Sequence, residues 1–317
     1  MVFLFLAIVI ACNTVKGYCG KCISGSIRGT EDAFVYNGLR MLLCAFIGLA
    51  LVFFEGSGEM LRPDFGMLAI CILSGVSNAA FLVFWLFAVR YNSMVSVDVG
   101  LTLGSLIPSV LCLILFGDPF SLPKMIGFAL IMAATVILAG KVRTDIGYKS
   151  VGIILLCLAA IGDGMTGFSQ QLYKHYYTDA GSRAGELLYP KTVYHFYTYL
   201  FAVLTFAAVI IGYRIFAHRA RENEKNEARS QVGGAISARV AVHILIMAVC
   251  LFAANYFQTV AANDYGFSSQ LLYPIVKGGC LITVNFVAMI FFGEPITKRN
   301  ILGSLTALAG IIAMSII

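Results

Sequence analysis

Phe116-Gly117-Asp118-Pro119-Phe120-Ser121 returns 176 residues later as Phe292-Gly293-Glu294-Pro295-Ile296-Thr297. In both places it closes one long apolar run and opens the next. Gly127 falls in register with Gly303 across the same offset, without a gap. Two apolar helices joined by a tight acidic-Pro hinge, and repeated in two halves, point to an internally duplicated chain. The runs are about one membrane thickness long, too long and too apolar for a soluble helical hairpin.

Apolar runs of about 20 residues divide the chain into ten expected spans, at 2–23, 33–54, 66–89, 93–116, 122–140, 151–172, 193–213, 239–261, 268–292 and 298–316. Only 12% of residues are charged and 60% are hydrophobic, against about 25% charged in soluble domains. The expected class is therefore an all-α integral membrane protein of ten transmembrane helices. Its two five-helix repeats are 1–143 and 144–317, with a charged loop over 214–238. Five spans per half is an odd number, so the second half must enter the membrane inverted relative to the first. This is the plan of many secondary transporters, with the substrate at the repeat interface.

The net charge of +6 is no nucleic-acid signal, because the basic residues lie in short loops and form no stripe with aromatics. They orient the chain instead. Of the 22 Lys and Arg, Lys16, Arg40 and Lys277 lie well inside spans, away from the loops. Arg62, Lys124, Lys174, Arg183 and Lys191 follow even-numbered spans, and the other 14 follow odd-numbered ones. Both termini are accordingly expected outside and the 214–238 loop in the cytoplasm. Most of the nine cysteines sit in apolar runs as small hydrophobes. Cys19-Gly20-Lys21-Cys22 has no second half to complete a metal site. Val9-Ile10-Ala11-Cys12 lacks the basic leader of a cleaved signal, so the first segment is read as a retained span.

Arg90-Tyr91-Asn92-Ser93 leads into a Ser- and Pro-bearing span, followed by the Phe-Gly-Asp-Pro hinge and the Gly127 helix. Together with Gly293-Glu294-Pro295, Gly303 and Gly310, these features resemble the drug/metabolite transporter superfamily, and its EamA-type members in particular. The resemblance covers the whole chain as two repeats. It implies a cavity lined by spans 3, 4, 8 and 9 together with 1 and 6. The chain departs from the family in its first span, which carries Lys16 and Lys21 and lacks both a Trp-Gly pair and a membrane carboxylate.

Ionisable groups inside a span cost several kcal/mol unless paired or hydrated, so each is a candidate site residue. Lys16 shares a helical face with Asn13 and Gly20. Aligning Gly17 with Gly167 sets Asn13 opposite Asp163. Lys277 follows Tyr273 and Pro274 in span 9, and Asp98 holds the position of Pro274 in span 4. Either the lysines pair with Asp98 or Asp163 to pin helices, or they attract an anionic or zwitterionic substrate while a carboxylate takes a proton or an amine. For Lys277 the second reading is preferred, because Pro274 and Gly278-Gly279 suggest a broken, thin stretch of span 9. Arg40 is expected to snorkel or to form a structural ion pair. Asn78, Asn255 and Gln258 are weaker candidates, equally readable as interhelical glue. Trp85 is read either as a cavity residue or as an interface anchor, and His195 as an entrance residue. The tyrosine-rich runs at 173–177 and 194–199 are read as interfacial belt.

There is no Gly-x-Ser-x-Gly, His-Glu-x-x-His, phosphate-binding glycine loop or nucleotide cassette. No enzyme, cofactor or metal is implied. The expected function is secondary transport of a small polar metabolite, such as an amino acid, nucleoside or sugar derivative, across the plasma membrane, with export favoured. The alternative is import or exchange of an anion such as a sugar phosphate or nucleotide sugar. A membrane-embedded enzyme or scaffold is the reading outside transport. The expected partners are lipid and a small-molecule substrate, with a coupling proton and a second copy of the chain left open and nucleic acid excluded.

Overall fold

A computed structural model describes residues 2–27, 29–91, 94–117, 121–139, 149–177, 189–223, 237–293 and 297–315. Among them the structure is all-helical. The helices are α1 (Val2–Ser24), α2 (Thr30–Phe54), α3 (Phe65–Tyr91), α4 (Met94–Gly104), α5 (Leu106–Phe116), α6 (Leu122–Ala139), α7 (Lys149–Tyr177), α8 (Lys191–Asn223), α9 (Ala238–Asn263), α10 (Ser269–Phe292) and α11 (Lys298–Ser315), with a 3-10 turn at Gly58–Met60. Seven of them, α1, α2, α3, α7, α8, α9 and α10, are long and apolar enough to cross a membrane, and shorter apolar stretches lie at Gly100–Phe116, Met125–Ala134 and Ile301–Ala313. The molecule is a membrane protein by this measure. Large apolar side chains such as Phe46, Ile114, Val136, Ile211, Ile290 and Leu305 stand exposed on its outer faces, where lipid is their natural solvent.

Both repeated hinges begin with the same device. Gly117 caps α5 at φ 65°, ψ 27° and Gly293 caps α10 at φ 62°, ψ 23°. Glycine reaches this left-handed conformation without the Cβ penalty, which is why it ends each helix. The acidic-Pro residues 118–120 and 294–296 themselves lie outside the described residues.

The most extensive helix pairings join the two halves: α3 with α7, α6 with α11, α2 with α8, and α1 with α9. Let α1, α2, α3, the α4–α5 pair and α6 be exchanged with α7, α8, α9, α10 and α11 respectively. The exchange carries α3·α7 onto α9·α1, α3·α8 onto α9·α2, α4·α7 onto α10·α1, and α10·α11 onto α4·α6, all of which occur. The pairs α2·α8, α6·α11 and α4·α10 map onto themselves. The α2·α8 pair is antiparallel. Phe34 meets Tyr213 with ring centroids 6.1 Å apart, Gly38 faces Phe206, and Gly48 lies against the Phe196 backbone.

Span 4 is broken. Pro108, in the first turn of α5, has no N–H to give the Gly104 carbonyl, and its ring crowds that carbonyl. At the break the Ser105 N–H turns back to the Thr102 carbonyl at 3.2 Å and the Ser105 hydroxyl reaches it at 2.7 Å. The break foreseen in span 9 is absent: α10 runs through Pro274 without interruption. Gly278 and Gly279 are occupied by Ile311 and by Ile10 of α1, so they admit neighbouring helices rather than a ligand.

The tyrosine runs are not an interfacial belt. Tyr173, Tyr194 and Tyr199 are fully buried, and Tyr173 stacks on Tyr194 at 4.5 Å. Their hydroxyls find partners inside the bundle: Tyr173 donates to the Tyr189 carbonyl at 2.6 Å, and Tyr194 meets Ser74 at 3.0 Å and Ser169 at 3.3 Å. A satisfied phenol loses its reason to seek the interface. Of these tyrosines Tyr176, at 51% exposure, does face outward.

Candidate functional site

Three glycines seat α7 among its neighbours. A Cβ at Gly162 would meet the Phe81 backbone of α3, one at Gly164 the Gly104 carbonyl of α4, and one at Gly167 the Tyr273 ring of α10. Backbones approach this closely only where side chains are missing. Asp163, carried between these contacts, comes within reach of Lys277, and the two form an ion pair at 2.5 Å. Tyr273 lies one turn before Lys277. Its hydroxyl donates to the Gly167 carbonyl at 2.6 Å, lies 3.1 Å from Gln170 Oε1, and accepts from Gln171 at 3.4 Å.

On α1 the Lys16 ammonium donates to Asn13 Oδ1 at 2.8 Å and stands 5.4 Å from the centre of the Phe81 ring. The side chain is buried, at 7% exposure. Asp98 on α4 offers a buried Oδ2 that has no hydrogen-bond partner, and on α3 Asn78 has an unpartnered buried Nδ2. Asn255 donates to the Tyr199 hydroxyl at 2.9 Å.

These groups surround two adjoining cavities. The first is lined by Asn13, Lys16, Trp85, Asp98 and Lys277 together with apolar residues of α3, α4 and α10. The second is lined by Asn13, Lys16, Asn78, Asp163, Asn255, Gln258, Tyr273 and Lys277. All nine residues singled out in the sequence therefore face one or both. They come from α1, α3, α4, α7, α9 and α10. The cavities measure about 30 and 40 Å³, room for two or three waters each. This conformation is too tight for a metabolite.

Thr166 and Gln170 also line the second cavity and were not singled out. Their signal was available, since positions three and seven residues after Asp163 share its helical face.

Two side chains, Arg40 and His195, sit otherwise than expected, and Trp85 takes the cavity reading of its two. Arg40 does not snorkel and forms no ion pair among the described residues; it is fully buried on α2, with its guanidinium 5.5 Å from the Trp85 ring centre and Nη1 3.6 Å from the Met247 sulfur. Its Nε and Nη2 have no partner. Trp85 is 3% exposed and wedged against Gly20, so it anchors nothing at an interface. His195 is 1% exposed and meets the Thr259 hydroxyl at 3.1 Å; it is a core residue rather than an entrance.

No family model matches the chain, and no curated protein does. Among solved structures, a chain described as "Crystal structure of protein" superposes with a TM-score of 0.69 at 11% identity, covering 99% of this chain and 96% of that one. That likeness, spanning both chains almost end to end, is one of fold: the chain shares its whole helical arrangement with a known structure.

Proposed function

We propose that the chain is a ten-span secondary transporter of the EamA type, built from two inverted five-helix repeats, which exports a small polar metabolite through the cavities between its halves. One observation carries the reading. Charged and amide side chains from six helices, three in each half, converge on adjoining cavities in an otherwise apolar bundle, and buried polarity of that kind in a membrane is expensive to keep. The exchange that preserves the helix pairings supports the duplication. The antiparallel self-pairing of α2 with α8 supports its inversion, since a parallel repeat would run these two helices the same way. In this reading α4–α5 and α6 stand as the fourth and fifth spans and α11 as the tenth.

The small cavities fit an occluded state between two open ones. Sliding and rocking of the halves at the glycine contacts would open one side at a time. The test is reconstitution of the purified protein in liposomes and counterflow of a labelled metabolite pool. Saturable exchange that Lys277→Met abolishes is the expected result. No exchange by the folded protein with any member of the pool would reject transport. A second reading, import or exchange of an anionic metabolite, is favoured by one feature: of the five charges at or beside the cavities, three are cationic.

A further inference from the structure

Arg40 is the charge the transport site leaves unexplained. It is fully buried, and no carboxylate pairs with it among the described residues. Lys277 is neutralised by Asp163. Among the described residues Lys16 meets an amide oxygen and a ring face. Asp98 is the remaining acid at the cavities, so Lys16, Arg40 and Lys277 outnumber Asp98 and Asp163 by one. A buried cation with two idle donors is costly unless something supplies the missing acceptor.

The position of Arg40 says where that acceptor would arrive. Its guanidinium lies on one side of the Trp85 indole, at 5.5 Å from the ring centre. Trp85 itself lines the first cavity together with Lys16. The Trp85 ring thus touches both a guanidinium with two idle donors and a cavity that already holds an ammonium. A guanidinium presents paired donors that match the two oxygens of a carboxylate or phosphate.

We propose that Arg40 and Lys16 together bind the anionic group of the substrate, a carboxylate or a phosphate ester, once Trp85 moves aside. This rests on the transport reading and narrows it to anionic metabolites. Trp85 is the gate of this subsite. It is also the only tryptophan in the chain, so its fluorescence reports that subsite alone.

The experiment is a fluorescence titration of the purified full-length protein with glycerate, glycerol 3-phosphate and glycerol, at ionic strength matched with sodium chloride. Saturable changes with one or both anions, and none with glycerol or chloride, are expected; which anion binds more tightly tells carboxylate from phosphate. Arg40→Met should weaken the response about tenfold or more, the scale of a lost charge-assisted contact. If that variant fails to fold, Arg40→Lys serves instead: it keeps the charge but loses the two-pronged geometry, and should bind several-fold more weakly. Unchanged affinity in either variant overturns the proposal, as does a wild-type response to glycerol equal to that of the anions. Counterflow in liposomes separates the two claims. Exchange of neutral metabolites without any anion response removes the anion subsite and leaves transport standing. Arg40-dependent anion binding without flux supports the subsite and removes the transport reading.

Discussion

At the scale of single residues, the Asp163–Lys277 pair ties α7 to α10, and loss of either member strands the other. Asp163→Asn strands an ammonium that is only 14% exposed, and should cost about 3 kcal/mol, read as a lower melting midpoint in detergent. Replacing both, as Asp163→Leu with Lys277→Met, removes the stranded charge and should recover most of that loss. Transport separates a pin from a ligand: the double variant is expected to melt normally and to carry no substrate. A double variant that transports at the wild-type rate would make Lys277 a pin. The nine polar positions were legible because each interrupts an apolar run, where a charge or amide is a conspicuous expense. Arg40 was misjudged for the opposite reason. Its neighbours Trp85 and Met247 are 45 and 207 residues away in sequence, and no local pattern announces that a partner is missing.

At the scale of helices, close approach is decided by glycines. A Cβ at Gly164 would fall 2.5 Å from the Gly104 carbonyl and 2.8 Å from Ile107 Cβ. Gly164→Leu should therefore push α7 from α4 and α5 and destabilise by about 1–3 kcal/mol. Gly212, also within a helix, has nothing within 4 Å of its ideal Cβ. Gly212→Ala should leave stability unchanged or raise it by up to about 1 kcal/mol. Two melting curves check this, and equal shifts for both variants would disprove the packing argument. Helix starts were legible to within a few residues, because a membrane requires long, apolar, internally bonded segments, but α7 and α8 run five and ten residues past the expected span ends. The break in the fourth span was not legible, since Pro108 and Pro274 look alike in sequence and differ in what surrounds their turns. Nor was the burial of Tyr173 and Tyr194, which depends on hydroxyl partners contributed by other helices.

At the scale of the whole molecule, the expected orientation follows from the loops. With 14 basic residues on one side and five on the other, the 214–238 loop should be cytoplasmic and both termini external. The structure ties the approaches to that loop together: Arg214 near the end of α8 pairs with Glu31 at the start of α2 at 2.7 Å. On the opposite side Lys191 pairs with Asp264 at 2.7 Å. A reporter active only in the cytoplasm, fused after Ile317, should be silent; activity there would invert the assignment. The repeated hinge was legible in the sequence, whereas the interleaving of the early and late helices was not, because contact between distant helices leaves no periodic trace.

That interleaving bears on how the molecule is made. Helices α1, α2 and α3 find their largest partners in α9, α8 and α7, so residues 1–143 alone should leave the broadest contact faces of these three helices uncovered. A chain arrested at residue 143 should be cleared by membrane proteases. Expressed together with 144–317 as a second polypeptide, it should be rescued and co-purify with it, and persistence of the first piece alone would show that the early helices can cover those faces among themselves. If the pieces behave so, quality control should tell a sound chain from a damaged one only after α7, α8 and α9 have been made.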